Sequence, residues 1–403
     1  MVNVGYAIKL GEIKIAYNTV LSLVLMLISL VLIIRRKFNQ RILFTGVLFW
    51  VVIGVGLIMF SLLPYKGGMI QNIVDWDGYI RGDVDLTNSP QLPPRLFNFL
   101  LSAFRFPIIL SVAAYVFTGE DIRKIVYKLH RLNPVVIIYG IFEIFANKIL
   151  HTEITTTIVN VFFGNEGLVF NTDRLNGFTK EPSQYAVVLF ILCMLTIIYF
   201  RFGFFKSKYL FWINIISLFC LMVLSRSLAS YYLLAISLLC ILISSNMSNK
   251  AIIIVSSFLG GFVLLLIGMP EYVVERLRRV LMVFDAIIGG YTYQSYATSE
   301  GARLVSIYQM IKCLISRPVC GVGLGVTDAH STFFALLANI GVVGSFLYYK
   351  IWYGFAKVKT TENKKFFWTI IASTFLVGGL GYFSEVYLPF IILCYTISSK
   401  GRN

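Results

Sequence analysis

The residues best suited to act on an anionic substrate gather in three polar stretches of an otherwise apolar chain. In GVGLGVTDAHSTFFALLANIGVVG, His330 stands where a polar loop becomes an apolar run, with Ser331 directly after it. Its near-neutral reference pKa suits a general base. A lone histidine at such a boundary also reads as an interfacial side chain bonded to backbone. In NTDRLNGFTKEPSQ, Arg174, Lys180 and Glu181 fall within eight positions, just ahead of an apolar run. Two cations and a carboxylate there suit a phosphate-bearing headgroup, because arginine grips phosphate oxygens through two parallel bonds. Glu181 offers a second base. The bland alternative is an ordinary polar helix start at Pro182. Arg303 opens the third stretch. From 303 to 316 the spacing predicts an amphipathic helix, with Leu304, Tyr308, Ile311 and Ile315 on one face. Such a helix can lie in the interface plane with its apolar side in lipid, where Arg303 is either a substrate contact or a solvated cation.

Pro318 with Gly321, Gly323 and Gly325 predicts a turn that folds this helix back toward His330. A dinucleotide fingerprint is rejected, because no strand precedes these glycines. Asp75-Trp76-Asp77, with Arg81 nearby, forms a D-x-D pattern. That pattern is common by chance, and its carboxylates suit sugar hydroxyls as well as a divalent ion, so no metal is expected. Arg105 and Glu143 lie inside apolar runs at matching depth, and buried charges there are expensive unless paired. An Arg105–Glu143 ion pair is therefore expected. Cys313 and Cys320 share one loop without a spacing that demands pairing. His130 falls among Arg123, Lys124, Lys128 and Arg131 and reads as surface.

These stretches need a scaffold, and the composition specifies it. Of 403 residues, 58% are hydrophobic and 13% charged, too few charges to cover a soluble surface. Apolar runs long enough to cross a ~30 Å hydrocarbon core recur throughout. Expected spans fall near 15–34, 42–63, 96–117, 134–150, 185–200, 210–224, 228–243, 251–269 and 330–350. The stretch 366–397 divides into two more at its glycines. The fold class is all-α, a single polytopic domain over 1–403 with about 11 (10–12) transmembrane helices. The net charge of +16 comes largely from Lys and Arg clustered in short loops. That places those loops in the cytoplasm and 64–95, 151–182 and 270–330 outside. Nucleic acid is not an expected partner, and no cleavable leader is read at the N-terminus.

The run His330-Ser331, a nine-residue gap and Gly341-x-x-Gly344 resembles the motif of the O-antigen ligase and Wzy-type O-antigen polymerase superfamily. So do Arg174-x-x-Gly177 ahead of Lys180-Glu181-Pro182, the hairpin tip Ser225-Arg226-Ser227, and Arg303 ahead of Pro318-x-x-Gly321-x-Gly323-x-Gly325. The resemblance covers roughly the last 230 residues and implies a GT-C-like glycosyltransferase of the bacterial inner membrane, its site facing the periplasm. The implied substrate is a glycan on undecaprenyl diphosphate, handled among membrane lipids without cofactor, with a chain-length regulator protein as a possible partner. On that reading Arg174, Arg303 and Lys180 hold the diphosphate. His330 or Glu181 deprotonates the acceptor, while Asp75, Trp76, Asp77 and Arg81 face the sugar. The first half leans toward polymerase over ligase. A lipid-linked glycan flippase is the competing class, and it would show repeats and broken helices.

Overall fold

Long apolar stretches without charge can satisfy their backbone in lipid only as helices, and that is how the chain is built. The computed structural model describes residues 6–10, 13–62, 96–146, 150–152, 154–155, 157–158, 174–179, 182–244, 278, 299–325, 331–378 and 387–398. A short antiparallel hairpin, β1 (Tyr6–Leu10) and β2 (Ile13–Ala16), precedes the helices, and the described residues are otherwise helical, as the all-α expectation has it. Twelve helices follow among the described residues. They are α1 (Tyr17–Ile34), α2 (Gln40–Leu62), α3 (Leu96–Val116), α4 (Gly119–His130), α5 (Leu132–Ile144) and α6 (Pro182–Arg201). After these come α7 (Lys208–Leu224), α8 (Leu228–Ser244), α9 (Ser299–Ser316), α10 (Thr332–Phe355), α11 (Thr361–Ala372) and α12 (Tyr387–Ser398).

Among the described residues, four segments are long and apolar enough to cross a membrane: 40–62, 99–116, 182–201 and 332–355. Parts of α1, α7, α8 and α12 are apolar but shorter. Their exteriors are apolar too. Ile138 is 66% exposed, Ile213 58% and Phe346 62%. Side chains of that kind on a helix exterior fit a lipid solvent and would be a liability in water. The expected span at 251–269 lies outside the described residues, as do most of 64–95, 151–182 and 270–330.

The helices begin where the chain supplies caps. Pro182 opens α6 with its fixed φ. Thr118 and Asp121 form a reciprocal capping box at α4, at 3.2 and 3.1 Å. Ser207 and Thr360 cap α7 and α11. Within the bundle, two buried hydroxyls of α6 and α8 fold back onto their own helix. Thr196 donates to Leu192 O and Ser237 to Leu233 O, both at 2.8 Å, so they bring no unpaired donor into the apolar core. Asn133 Nδ2 donates to Thr196 Oγ1 at 2.6 Å and stitches α5 to α6. Pro107 sits inside α3, where Gly46 of α2 makes room for it: an added Cβ would lie 2.4 Å from the proline ring.

Two halves meet in this bundle. Around α6 pack α4, α7, α8 and α12, while around α10 pack α2, α3, α9 and α12. α4 replaces the expected basic loop with an amphipathic helix that buries Ile122, Val126 and His130. His130 is therefore not a surface residue. It stacks on Tyr199 with centroids 3.9 Å apart and meets Phe205 edge-on. Burial pushes its imidazole down to about 4. Cys313 and Cys320 are both free.

Candidate functional site

Arg174 stands at the head of a loop seated by one buried carboxylate. Glu143, 3% exposed near the end of α5, accepts the Asn176 N–H on Oε1 at 2.8 Å and the Gly177 N–H on Oε2 at 2.9 Å. Charge-assisted bonds of this kind contribute about 1.5–3 kcal/mol each. Phe178 stacks on Tyr139, one turn earlier on α5, at 3.8 Å. Thr179 closes the turn with its N–H and its hydroxyl, both onto Asn176 O, at 3.0 and 2.6 Å. Gly177 holds φ +56°, and an added Cβ would come within 2.2 Å of the Tyr185 ring. Only glycine fits that backbone and that space. Helix α5 thus sets the loop, and the loop sets the half-buried Arg174.

The expected Arg105–Glu143 ion pair is not formed. Arg105 Nη2 donates to Ser102 Oγ on its own helix at 3.2 Å, and both Glu143 oxygens are taken by amides. Depth was matched but not side: α3 packs mainly with α1, α2 and α10, and α5 with α7 and α4.

The second construction is a broken helix. Gly341 sits inside α10 with φ 67° and ψ −175°, so the helix cannot run through it. In an unbroken helix Val342 and Val343 would donate to Ala338 and Asn339. Instead the 317–325 loop enters the gap. Val322 N–H donates to Ala338 O at 2.8 Å and Gly323 N–H to Asn339 O at 3.0 Å. In the other direction, Val342 N–H donates to Pro318 O at 2.8 Å and Val343 N–H to Val319 O at 3.3 Å. Gly325 N–H then reaches Asn339 Oδ1 at 2.9 Å. Four inter-segment bonds replace two helical ones, as an apolar surround requires. The approach is too close for side chains: a Cβ on Gly341 would lie 2.2 Å from Val319 O, and one on Gly321 would lie 2.4 Å from Asn339 C. The G-x-G-x-G run is therefore a structural insert, and α9 leads into it with Met310 and Cys313 buried and Ile315 73% exposed.

At the start of α10, Ser331 Oγ accepts the Phe334 N–H and donates to Thr374 O, both at 3.2 Å. Phe333 N–H reaches Thr374 O at 3.2 Å and Thr332 N–H reaches Val377 O at 3.3 Å. The helix N-terminus that follows His330 in sequence is thus tied to the segment after α11. Val187, Leu233, Thr332 and Val377 line one small cavity of about 20 Å³. Since Tyr185 meets Gly177 and Val187 shares this cavity with Thr332, the Arg174 loop and the start of α10 flank the same first turns of α6. Leu233 lies near the start of α8 and brings the 225–227 tip to that end, where Arg226 holds φ 47°. His330, Lys180, Glu181, Asp75, Trp76, Asp77, Arg81 and the Arg303 side chain lie outside the described residues.

A polar cluster that sequence reasoning missed occupies the far end of α6. Arg201 donates from Nη1 to Glu362 Oε1 at 2.6 Å and to Tyr395 OH at 3.1 Å, and from Nε to Ser398 Oγ at 3.2 Å. Tyr395 donates to the same Glu362 oxygen at 2.6 Å and accepts from Ser244 at 3.0 Å. This is the one salt bridge among the described residues. Its signal was a single carboxylate, Glu362, inside the basic run Lys357–Lys365. Compared with protein-family models, characterised proteins and solved structures, the chain matches none of them.

Proposed function

We propose that the chain is an O-antigen polymerase, extending a glycan carried on undecaprenyl diphosphate at the periplasmic face of a bacterial inner membrane. Support comes from one juxtaposition: the Glu143-seated loop and the helix start that follows His330 flank the same turns of α6. In the reaction the bond between the sugar's anomeric carbon and the diphosphate oxygen of the growing chain breaks. A hydroxyl of the new repeat unit forms the new glycosidic bond, and its proton passes to His330, or to Glu181. Negative charge grows on the departing diphosphate, where Arg174, Arg303 and Lys180 supply the compensating field. Asp75, Trp76, Asp77 and Arg81 are the proposed sugar contacts, and the reaction needs no metal.

The break at Gly341 favours a second reading, a lipid-linked glycan flippase, since transporters place discontinuous helices at their sites. Those transporters leave backbone groups open for an ion, whereas the groups at this break are taken up by the 317–325 loop. The enzyme reading is preferred on that ground. It is tested with purified protein, lipid-linked repeat units and EDTA. Chain extension is expected to persist, to vanish in Arg174→Ala, and to fall roughly 10²–10⁴-fold in His330→Ala. Transfer to lipid A core would make the protein a ligase, and transbilayer movement without extension would make it a flippase. For sidedness, a cysteine at exposed Leu150 should react with an impermeant thiol reagent from the periplasm and one at exposed Lys364 should not, once the native cysteines are replaced.

A further inference from the structure

At the Arg201 end of α6 lies an open cleft of about 600 Å³. It runs between the start of α4 (Thr118, Glu120, Arg123), the end of α6 (Arg201) and the end of α12 (Ile397, Ser398). It stands ~24 Å from the Arg174 loop, the sixteen-residue rise from Tyr185 to Arg201, and has no part in the chemistry proposed there. The Arg201 side chain is 3% exposed. Its Nε and Nη1 are engaged, whereas Nη2 finds no acceptor among the described residues and is not sealed from solvent. Two N–H donors of a buried guanidinium therefore remain open beside the cleft. Arg123, exposed, holds its guanidinium over the Phe204 ring at 4.9 Å. Glu120 is exposed on the same wall and does not take part in the α4 cap, which Thr118 and Asp121 complete.

The charges decide what fits. Arg201 is already neutralised by Glu362, and Glu120 offsets Arg123 in number, so the described residues lining the cleft offer open donors without a surplus of positive charge. A polyanion is poorly matched to that balance, and a headgroup with one phosphate and one ammonium is well matched. The apolar side chains leading into Thr118 are exposed, Tyr115 at 58%, Val116 at 46% and Phe117 at 38%. They offer a surface for acyl chains directly beside the polar cleft. We propose that this cleft binds an aminophospholipid, with the phosphate taken by Arg201 Nη2 and Arg123 and the ammonium by Glu120.

The test uses the purified, delipidated full chain in neutral detergent. It is titrated separately with phosphatidylethanolamine, phosphatidylglycerol and inorganic phosphate, and retained ligand is counted by native mass spectrometry. Phosphatidylethanolamine should be retained roughly fivefold better than phosphatidylglycerol, the scale of one charged hydrogen bond at a half-exposed site. Glu120→Gln should erase that preference, and Arg123→Ala should lower retention of both lipids. Both positions are exposed and leave the α4 cap intact, so each variant should melt like the parent. Equal retention of the two lipids by the parent, or unchanged retention in both variants, overturns the proposal. Displacement of the lipid by millimolar inorganic phosphate would reassign the cleft to a soluble phosphate and overturn the lipid assignment.

Discussion

At the Tyr185 end of α6 the buried charge is a carboxylate held by two backbone amides. At the Arg201 end it is a guanidinium held by a carboxylate, a phenol and a serine. The first arrangement fixes the path of a loop, because amides at 2.8 and 2.9 Å constrain φ and ψ as well as position. The second ties four helices, α6, α8, α11 and α12, and leaves the adjoining cleft open. Buried charge thus serves positioning where a loop must present a side chain, and cross-linking where helices merely need to stay together. The break in α10 adds a third device at the first end, backbone paired with backbone.

The largest effect is expected at that break. Gly341→Ala places a Cβ against Val319 O and forbids the left-handed backbone, so folded protein in membranes should be nearly lost. Gly54→Ala is the control, since an added Cβ there meets nothing within 4 Å and abundance should not change. Wild-type abundance of Gly341→Ala would show that the inserted loop does not hold α10. Next comes the cross-linked end. Glu362→Ala strands buried Arg201 and should destabilise by about 3 kcal/mol, the lower end of the range for buried pairs because Glu362 is 41% exposed. Replacing both Arg201 and Glu362 with Met should recover most of the lost melting temperature. A double variant no better than the single would mean that the pair is not the tie.

At the positioning end, Glu143→Gln keeps the shape but offers one acceptor oxygen to two amides, a loss of about 1–2 kcal/mol. Under the polymerase reading its activity should fall further than its stability, with kcat more affected than KM. Equal losses would reduce Glu143 to a structural role. The smallest effect is pH-dependent. His130 is held down to about 4 from its ordinary 6.5, so between those values the unfolded chain binds the proton and the folded chain does not. Stability is therefore unaffected above pH 6.5 and should fall as pH drops toward 4. Thermal melts of His130→Phe should flatten that slope, and an unchanged slope would assign it elsewhere.

Most helices were legible because apolar length is a one-dimensional signal. The expected spans near 42–63, 96–117 and 210–224 differ by a few residues from α2, α3 and α7. Partners were not legible, since depth along a helix says nothing about which way it faces. Arg105 and Glu143 matched in depth, yet their helices sit in different parts of the bundle. His130 was misread because four cations around it suggested solvent, whereas the α4 period puts it on the buried stripe with Ile122 and Val126. The glycines at 321, 323 and 325 were read as a turn, and nothing local in the sequence reports that Gly341 opens a gap to receive them.

That gap also sets an order of events during synthesis. Val322 is made sixteen residues before its acceptor Ala338, and Pro318 twenty-four before its donor Val342. At ~5–20 residues per second the 318–323 segment waits about 1–5 s for its partners. Until they arrive, its amides and carbonyls must stay with water or with the insertion machinery, because bare lipid would leave them unpaired. The segment can therefore complete its backbone pairing only once the second half of α10 exists, which makes its seating in the gap a late step of folding.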